Sequence, residues 1–320
     1  MGRFYEIHKR APGLEDWWVR HVTLAEAIAA GRISSQWAEQ RAKQWGRDSA
    51  MYANRVLGEF HASDEDSVIP LAWVEAAIER WHAWNDAGRP ALDGRRITGV
   101  DVARSGGDST VFAHQWGPCI TRLEVHDRED TMQTTARVLA ATGDPDEEGR
   151  TVSVPVVDSM GVGGGVVDRL RELGAPVLAY TGAAKSKRRT RDGEWGFTNT
   201  RGAAYWNVRE LLDPAFEPEL MLPPDDLMVA DLTTPTWDVT TGIPPKIKVE
   251  PKEDVAARLG RSPDRGDAVA MSLFAEYLAA ATVASPARSA PARQTTAAAR
   301  YGRTVAGGLG GGGGRMGGRR

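Results

Sequence analysis

Cysteine, zinc-type histidine spacing and long apolar runs are what this 320-residue sequence has least of. Its one cysteine, Cys119, excludes a disulfide framework and a cysteine-based zinc site, and suits a reducing compartment. Cys119 falls in a β-like run and is expected to be a small core residue. The six histidines show no metal-ligand spacing, and no Ser-His-Asp arrangement follows from spacing. No run approaches the ~18 apolar residues of a membrane span. Met1-Gly2-Arg3-Phe4-Tyr5 has no signal-peptide core, so a cytoplasmic protein without a membrane partner is expected. The net charge of −3 excludes a wholly basic nucleic-acid binder and leaves any such contact to local patches. The nucleotide-binding signature Gly-x-x-x-x-Gly-Lys-Ser/Thr is absent, so ATP hydrolysis is not expected of the chain. What is present, 41% hydrophobic and 26% charged residues, is a globular composition long enough for one large domain or two smaller ones.

Residues 1–93 are rich in helix formers and hold seven of the eleven tryptophans. Short helices are predicted over 24–30 and 36–45, and a longer one over 71–84, where Val74, Ala77, Ile78, Trp81 and Trp84 recur at helical spacing. The tryptophans read as core anchors of a small helical layer, ahead of a base-stacking surface. Gly88, Pro90 and Gly94 interrupt a polar stretch and place a boundary after residue 93. From Ile97 the period changes to that of strands, over 97–103, 110–116 and 120–126, with a Ser105-Gly106-Gly107-Asp108 turn. Such short connections make an antiparallel meander. A helix over 131–141, a strand over 151–158, a helix over 164–173 and a strand over 176–180 then imply parallel additions by right-handed crossover.

That layout is the one of an RNase H-like domain, an α/β mixed sheet flanked by helices, here over 94–282. The remainder reads as a basic loop over 185–201, a helix over 203–212, irregular chain over 213–224, a hairpin within 229–249, and helices over 252–259 and 263–281. Residues 283–320 carry seven arginines, no acids and a glycine run. They lack the apolar surface to offset chain entropy and are expected to be a disordered tail, either inert or holding nucleic acid electrostatically.

Three acidic stations stand out. Asp101 lies in the Ile97–Ala103 run, Asp158 ends Val154-Pro155-Val156-Val157, and Asp264 and Asp267 open an apolar helix in Ser262-Pro263-Asp264-Arg265-Gly266-Asp267-Ala268. Carboxylates inside such elements cost free energy unless something compensates them. A pair of divalent metal ions is the obvious compensation, and phosphodiester hydrolysis the obvious use. Asp101 suits a bridge between two ions: it reads as mid-strand, with small Gly99 and Ala103 leaving room beside it for metal and substrate. Asp158 sits where ligands meet open α/β sheets, at a strand's carboxyl end, although a turn or cap role is also open to it. The glycines that follow it, in Met160-Gly161-Val162-Gly163-Gly164-Gly165, lack the Lys-Ser/Thr of a phosphate loop. Ser262 reads as N-cap and Pro263 as the first helical residue. The helix dipole explains Asp264, whereas Asp267 should point inward. Asp108 reads as a turn residue, with a role behind the metal ligands also open to it. Lys185, Lys187, Arg188, Arg189 and Arg191 suit a DNA backbone or a solvated loop.

With these residues, the chain resembles over roughly 50–280 the nuclease half of the large terminase subunit of tailed bacteriophages. Tyr52-Ala53-Asn54-Arg55-Val56-Leu57-Gly58-Glu59-Phe60 and Ile69-Pro70-Leu71-Ala72-Trp73-Val74-Glu75-Ala76-Ala77 resemble the segment leading from motor to nuclease. Gly99-Val100-Asp101 through Gly107-Asp108-Ser109-Thr110-Val111, then Val157-Asp158, then the Ser262–Ala268 motif follow in the family's order. The spacing fits that family better than Holliday-junction resolvases, which share the fold. The resemblance implies a Mg²⁺- or Mn²⁺-dependent endonuclease that cuts concatemeric viral DNA during genome packaging, in the host cytoplasm at the procapsid portal. It implies double-stranded DNA, a small terminase subunit and the portal as partners. Carried over by motif, Asp101, Asp158 and Asp267 hold two ions with Asp264 auxiliary. Lys252 resembles a lysine near the family's active site, a surface lysine being the plainer reading. Complete members begin with an ATPase motor, and the chain starts where that motor should be ending, so a separate or lost motor is expected. Two other classes stay open: a non-catalytic module that grips DNA and docks a motor through the Trp-rich region, and a dimeric junction resolvase. Metal dependence separates the first of these from a nuclease.

Overall fold

Alternating apolar residues build the central sheet. In the computed structural model, which describes residues 3–8, 10–59, 66–103, 109–127, 130–143 and 153–284, β1 (Arg96–Asp101), β2 (Ser109–Trp116) and β3 (Cys119–Asp127) form the antiparallel meander. β4 (Val154–Asp158) and β5 (Leu178–Tyr180) add in parallel on the other edge of β1, giving the order β3-β2-β1-β4-β5. Asp108 and the tail from residue 285 lie outside the described residues. β1 is shorter than its sequence suggests: its last partner is Val111, opposite Asp101, so Asp101 is a strand tip and not a mid-strand residue.

The first helices are α1 (Arg3–His8), α2 (Leu24–Ala29), α3 (Ser35–Trp45) and α4 (Ala50–Tyr52), the last running into a π-helical turn, Ala53–Leu57. α5 (Leu71–Asp86) follows; α6 (Thr131–Thr142) and α7 (Val162–Glu172) flank β4 in the chain. α8 (Thr200–Leu212), α9 (Asp226–Thr233), α10 (Lys252–Leu259), α11 (Asp264–Leu273) and α12 (Ala275–Ala284) complete the set. A second sheet joins β6 (Gly196–Phe197), β7 (Trp237–Val239) and β8 (Lys246–Val249) in the order β6-β8-β7. Five helices start on a side chain that accepts from a first-turn amide: Thr23 for α2, Ser34 for α3, Asp130 for α6, Asn199 for α8 and Asp225 for α9. α11 does not.

The two faces of the sheet bury different partners. Val100, Phe112 and Val157 pack with Val138, Val166, Val167 and Leu170 of α6 and α7. Ile97, Val111, Ala113 and Val156 pack on the opposite side with Ala268 and Met271 of α11. That second core also takes in Trp45, Met51, Ile69, Val74 and Ala77, so apolar packing runs across the polar stretch near residue 93. Trp45, Trp81 and Trp84 are buried, and Cys119 lies against the last two. Burial pushes the Cys119 thiol up to about 12, which leaves it protonated and inert.

One further prediction is met and two need correcting. The hairpin within 229–249 is β7 with β8, paired antiparallel with Trp237 opposite Val249 and Val239 opposite Ile247, and residues 226–233 before it are helix. The apolar run Leu227-Met228-Val229-Ala230 fits either period, and the Asp225 side chain, accepting from Met228 N at 2.8 Å, decides for the helix. The last helix breaks at Phe274 into α11 and α12. The loop predicted over 185–201 contains β6, which pairs with β8 in parallel.

Candidate active site

Asp101 ends β1 and Asp158 ends β4. These strands are parallel neighbours with Val100 opposite Val157, so both acids stand at carboxyl ends on one edge of the sheet. Asp101 is buried, 4% exposed. Asp158 Oδ1 accepts from Met160 N at 3.1 Å, which tightens the turn into α7.

The third station arrives on α11, and Gly99 determines how close it comes. A Cβ at Gly99 would stand 2.1 Å from Ala268 O and 2.8 Å from Ser272 N, both backbone atoms of α11. The space that Gly99 leaves is therefore filled by a helix, not by metal and substrate as its size suggests. Its effect is to bring Asp267 beside Asp101. α11 starts one residue later than predicted, with Pro263 as N-cap; the Ser262 hydroxyl donates to Asp264 Oδ1 in place of capping an amide.

Lys252, the first residue of α10, joins the first and third stations. Its Nζ is 2.9 Å from Asp101 Oδ2, 2.9 Å from Asp267 Oδ2 and 3.3 Å from Asp264 Oδ1. On the far side of Asp267, Oδ1 accepts from Tyr205 OH at 2.8 Å and from Arg201 Nε at 3.2 Å. A cavity of about 390 Å³ opens onto Asp101, Asp158, Tyr180, Arg201, Lys252 and Asp267. A neighbouring one of about 430 Å³ reaches Asp101, Asp158, Lys252 and Asp264.

The carboxyls behave unequally. Burial holds Asp101 well above the usual range, Lys252 opposing and Asp267 and Asp264 reinforcing it. Burial acts on Asp267 in the same sense, yet Arg201 and Lys252 outweigh it and bring it to about 2. Lys252 is itself raised: burial disfavours its charge, but Asp267, Asp101 and Asp264 favour it more strongly.

Among the described residues, no three His, Cys, Asp or Glu side chains are placed to hold a metal ion as they stand. The point between Asp101, Asp264 and Asp267 is taken by the Lys252 ammonium. That ammonium is a stand-in ion, a cation held by carboxylate oxygens alone, and an all-oxygen donor set suits a hard divalent cation. The lysine side chain is 32% exposed and unbranched, free to swing out. On this observation the donor set fits Mg²⁺ or Mn²⁺ once the ammonium has moved.

The basic loop is organised differently from a solvated charge run. Arg188 is 5% exposed and ion-paired to Glu210 Oε2 at 2.5 Å, with Asn207 Oδ1 at 3.1 Å. Arg189 donates to the carbonyls of Gly193 and Glu194. Arg191 donates to Glu210 O and lies over the Phe216 ring. These three arginines tie the loop down, while Lys185 and Lys187 remain exposed.

Sequence reasoning missed Arg201, Tyr205 and Asp231. The first two lie four apart on α8, a spacing that shares a helix face but names no partner. Asp231 had a signal: it is the lone acid in the apolar run 227–232, and such an acid needs a buried partner.

No family model and no curated protein matches the chain. Solved structures do. The nuclease domain of the large terminase subunit gp2 of bacterial virus Sf6 is similar over 65% of this chain and 98% of its own, with 19% identity and a TM-score of 0.50. A mutant of that domain with manganese and beta-thujaplicinol covers the same shares, with 18% identity and a TM-score of 0.51. At such identity the likeness is one of fold: the chain has the mixed, helix-flanked sheet of an RNase H-like terminase nuclease domain.

Proposed function

We propose that this chain is a metal-dependent DNA endonuclease that cuts concatemeric viral DNA during genome packaging. The observation that carries the reading is the convergence of Asp101, Asp264 and Asp267, from a strand tip and a helix start, on a single cation, with Asp158 lining the same cavity. The fold shared with the Sf6 nuclease domain supports it.

Asp101, Asp158 and Asp267 hold two Mg²⁺ or Mn²⁺ ions in this reading, with Asp264 auxiliary. Bound there, the ions supply Lewis-acid stabilisation of the phosphate and a more acidic attacking water. Arg201 and Tyr205 engage Oδ1 of Asp267 and so aim Oδ2 at the cavity. Lys252, once displaced, remains at the cavity wall as a partner for a DNA phosphate. Lys185 and Lys187 contact the backbone nearby, since Gly182 and Ala183 already line the cavity. Asp108, which precedes β2 in the sequence and lies outside the described residues, is retained as an auxiliary acid. Phosphate contacts position DNA without reading bases, so cutting tolerates sequence. In this reading the chain works beside a small terminase subunit and the portal.

Incubation with supercoiled plasmid tests the reading. Nicking and linearisation are expected with Mn²⁺ or Mg²⁺, and none with EDTA or in the presence of ATP alone. DNA retention without cutting under every metal condition would replace it with a non-catalytic gripping module.

Proton release offers a second test. Asp101 holds its proton more tightly than a free carboxyl does, and a metal ligand must give it up. Mn²⁺ affinity is therefore expected to climb with pH until the folded-state titration of Asp101 is complete. Calorimetric titrations in buffers of different ionisation enthalpy should show proton release at the low-pH end. Uptake of protons, or a flat profile, would contradict this.

A further inference from the structure

α11 carries two of the acids, yet it begins without a cap of its own: the Pro263 position makes no side-chain hydrogen bond to its amides. The amides of a first helical turn need acceptors from elsewhere. Two of them find one on another helix. Asp231 Oδ2, on α9, accepts from Arg265 N and from Gly266 N, each at 3.1 Å. These are the two residues between Asp264 and Asp267.

Asp231 is held in turn. It is completely buried, and its Oδ1 lies 2.6 Å from Arg261 Nη1. The same guanidinium donates to Gln44 O, Ser262 O and Leu227 O, so it joins α3, α9 and the chain entering α11. Arg265 pairs with Asp225, the cap of α9. A Cβ at Gly266 would stand 2.7 Å from Asp231 Cβ, so the two helices touch where the carboxylate reaches across. A buried ion pair is an expensive way to cap a helix, and a local serine or aspartate would satisfy the amides at lower cost. What the buried pair adds is a fixed orientation.

We propose that Asp231 is a positioning residue for the catalytic centre, clamping the first turn of α11 so that Asp264 and Asp267 stand at a set distance and angle from Asp101. The inference rests on the nuclease reading for its consequence, but not for the clamp itself. Groups that orient metal ligands typically change affinity or activity by about 10–100-fold when lost.

The test is Asp231→Asn, which keeps the volume and loses the charge and one carboxylate acceptor. The folded variant is expected to bind Mn²⁺ about ten-fold more weakly, measured as free Mn²⁺ by electron paramagnetic resonance. Its kcat for plasmid nicking should fall by a similar factor with KM unchanged. Hydrogen exchange at the Arg265 and Gly266 amides should accelerate while the interior of α11 stays protected. A folded variant with Mn²⁺ affinity, kcat and amide protection all within two-fold of wild type overturns the proposal. If the variant does not fold, exchange in the metal-free wild type decides. Arg265 and Gly266 amides as protected as the α11 interior support the clamp, and amides exchanging like a frayed first turn overturn it. Wild type that neither binds Mn²⁺ nor nicks DNA defeats the nuclease reading, and the amide data still judge Asp231.

Discussion

Asp101→Asn is expected to lower metal-dependent nicking by about three orders of magnitude, roughly 4 kcal/mol of transition-state stabilisation. The same change should not weaken the metal-free fold at pH 8. Asp101 is buried, and burial raises its folded-state titration above that of the unfolded chain. Its contribution to stability is therefore full at low pH and is lost as pH rises through the folded-state value. Asparagine removes that liability and still leaves Lys252 two carboxylates, Asp264 and Asp267. Urea midpoints of the two proteins should converge at low pH and separate at high pH, with the variant the more stable. Mn²⁺ should raise the wild-type midpoint and leave the variant nearly unmoved. A variant that nicks within ten-fold of wild type would remove Asp101 from the centre of the site.

Gly99→Ala should do the most damage to the fold. The added methyl meets Ala268 O at 2.1 Å and Ser272 N at 2.8 Å, and backbone atoms of a helix cannot rotate away. α11 must lift from the sheet, opening the packing of Ile97, Val111, Ala268 and Met271. A loss of about 3 kcal/mol or more is expected, the upper end for a strained core insertion. Gly196→Ala is the control: nothing lies within 4 Å of its Cβ position, and a change within about 0.5 kcal/mol is expected. Urea unfolding followed by circular dichroism measures both. If Gly99→Ala is as stable as the control, the close approach that seats Asp267 is not what builds the site.

Parts of this arrangement were legible in the sequence. A strand-period run holding Asp101, a second ending in Asp158 and a Ser-Pro-Asp helix start each announce an acid in an apolar setting. Their order also gave the mixed sheet, because short links force antiparallel pairing and helical links force parallel pairing. What stayed hidden depends on contacts between distant segments. Lys252 reaches Asp101 across 151 positions, and no local pattern distinguishes it from a surface lysine. Arg188 looked like one of five cations on a DNA-facing or solvated loop until Glu210, on α8, removed it from water. α9 went unpredicted because four consecutive apolar residues satisfy both periods. Gly99 was given the wrong reason for the right observation, since smallness beside an acid does not say which neighbour fills the gap.

The pairing of β1 with β4 has a consequence for how tolerant this site is to change. Ile97, Thr98, Gly99 and Val100 lie opposite Val154, Pro155, Val156 and Val157, so the next rung sets Asp101 opposite Asp158 on one face. Adjacent strands keep a spacing of roughly 4.7–4.9 Å, fixed by backbone hydrogen bonds and indifferent to side-chain volume. The distance between these two acids is thus ruled by the ladder itself. Changes in side-chain volume beside β1 and β4 leave that ruler intact, whereas the position of Asp267 follows every change in how α11 is packed.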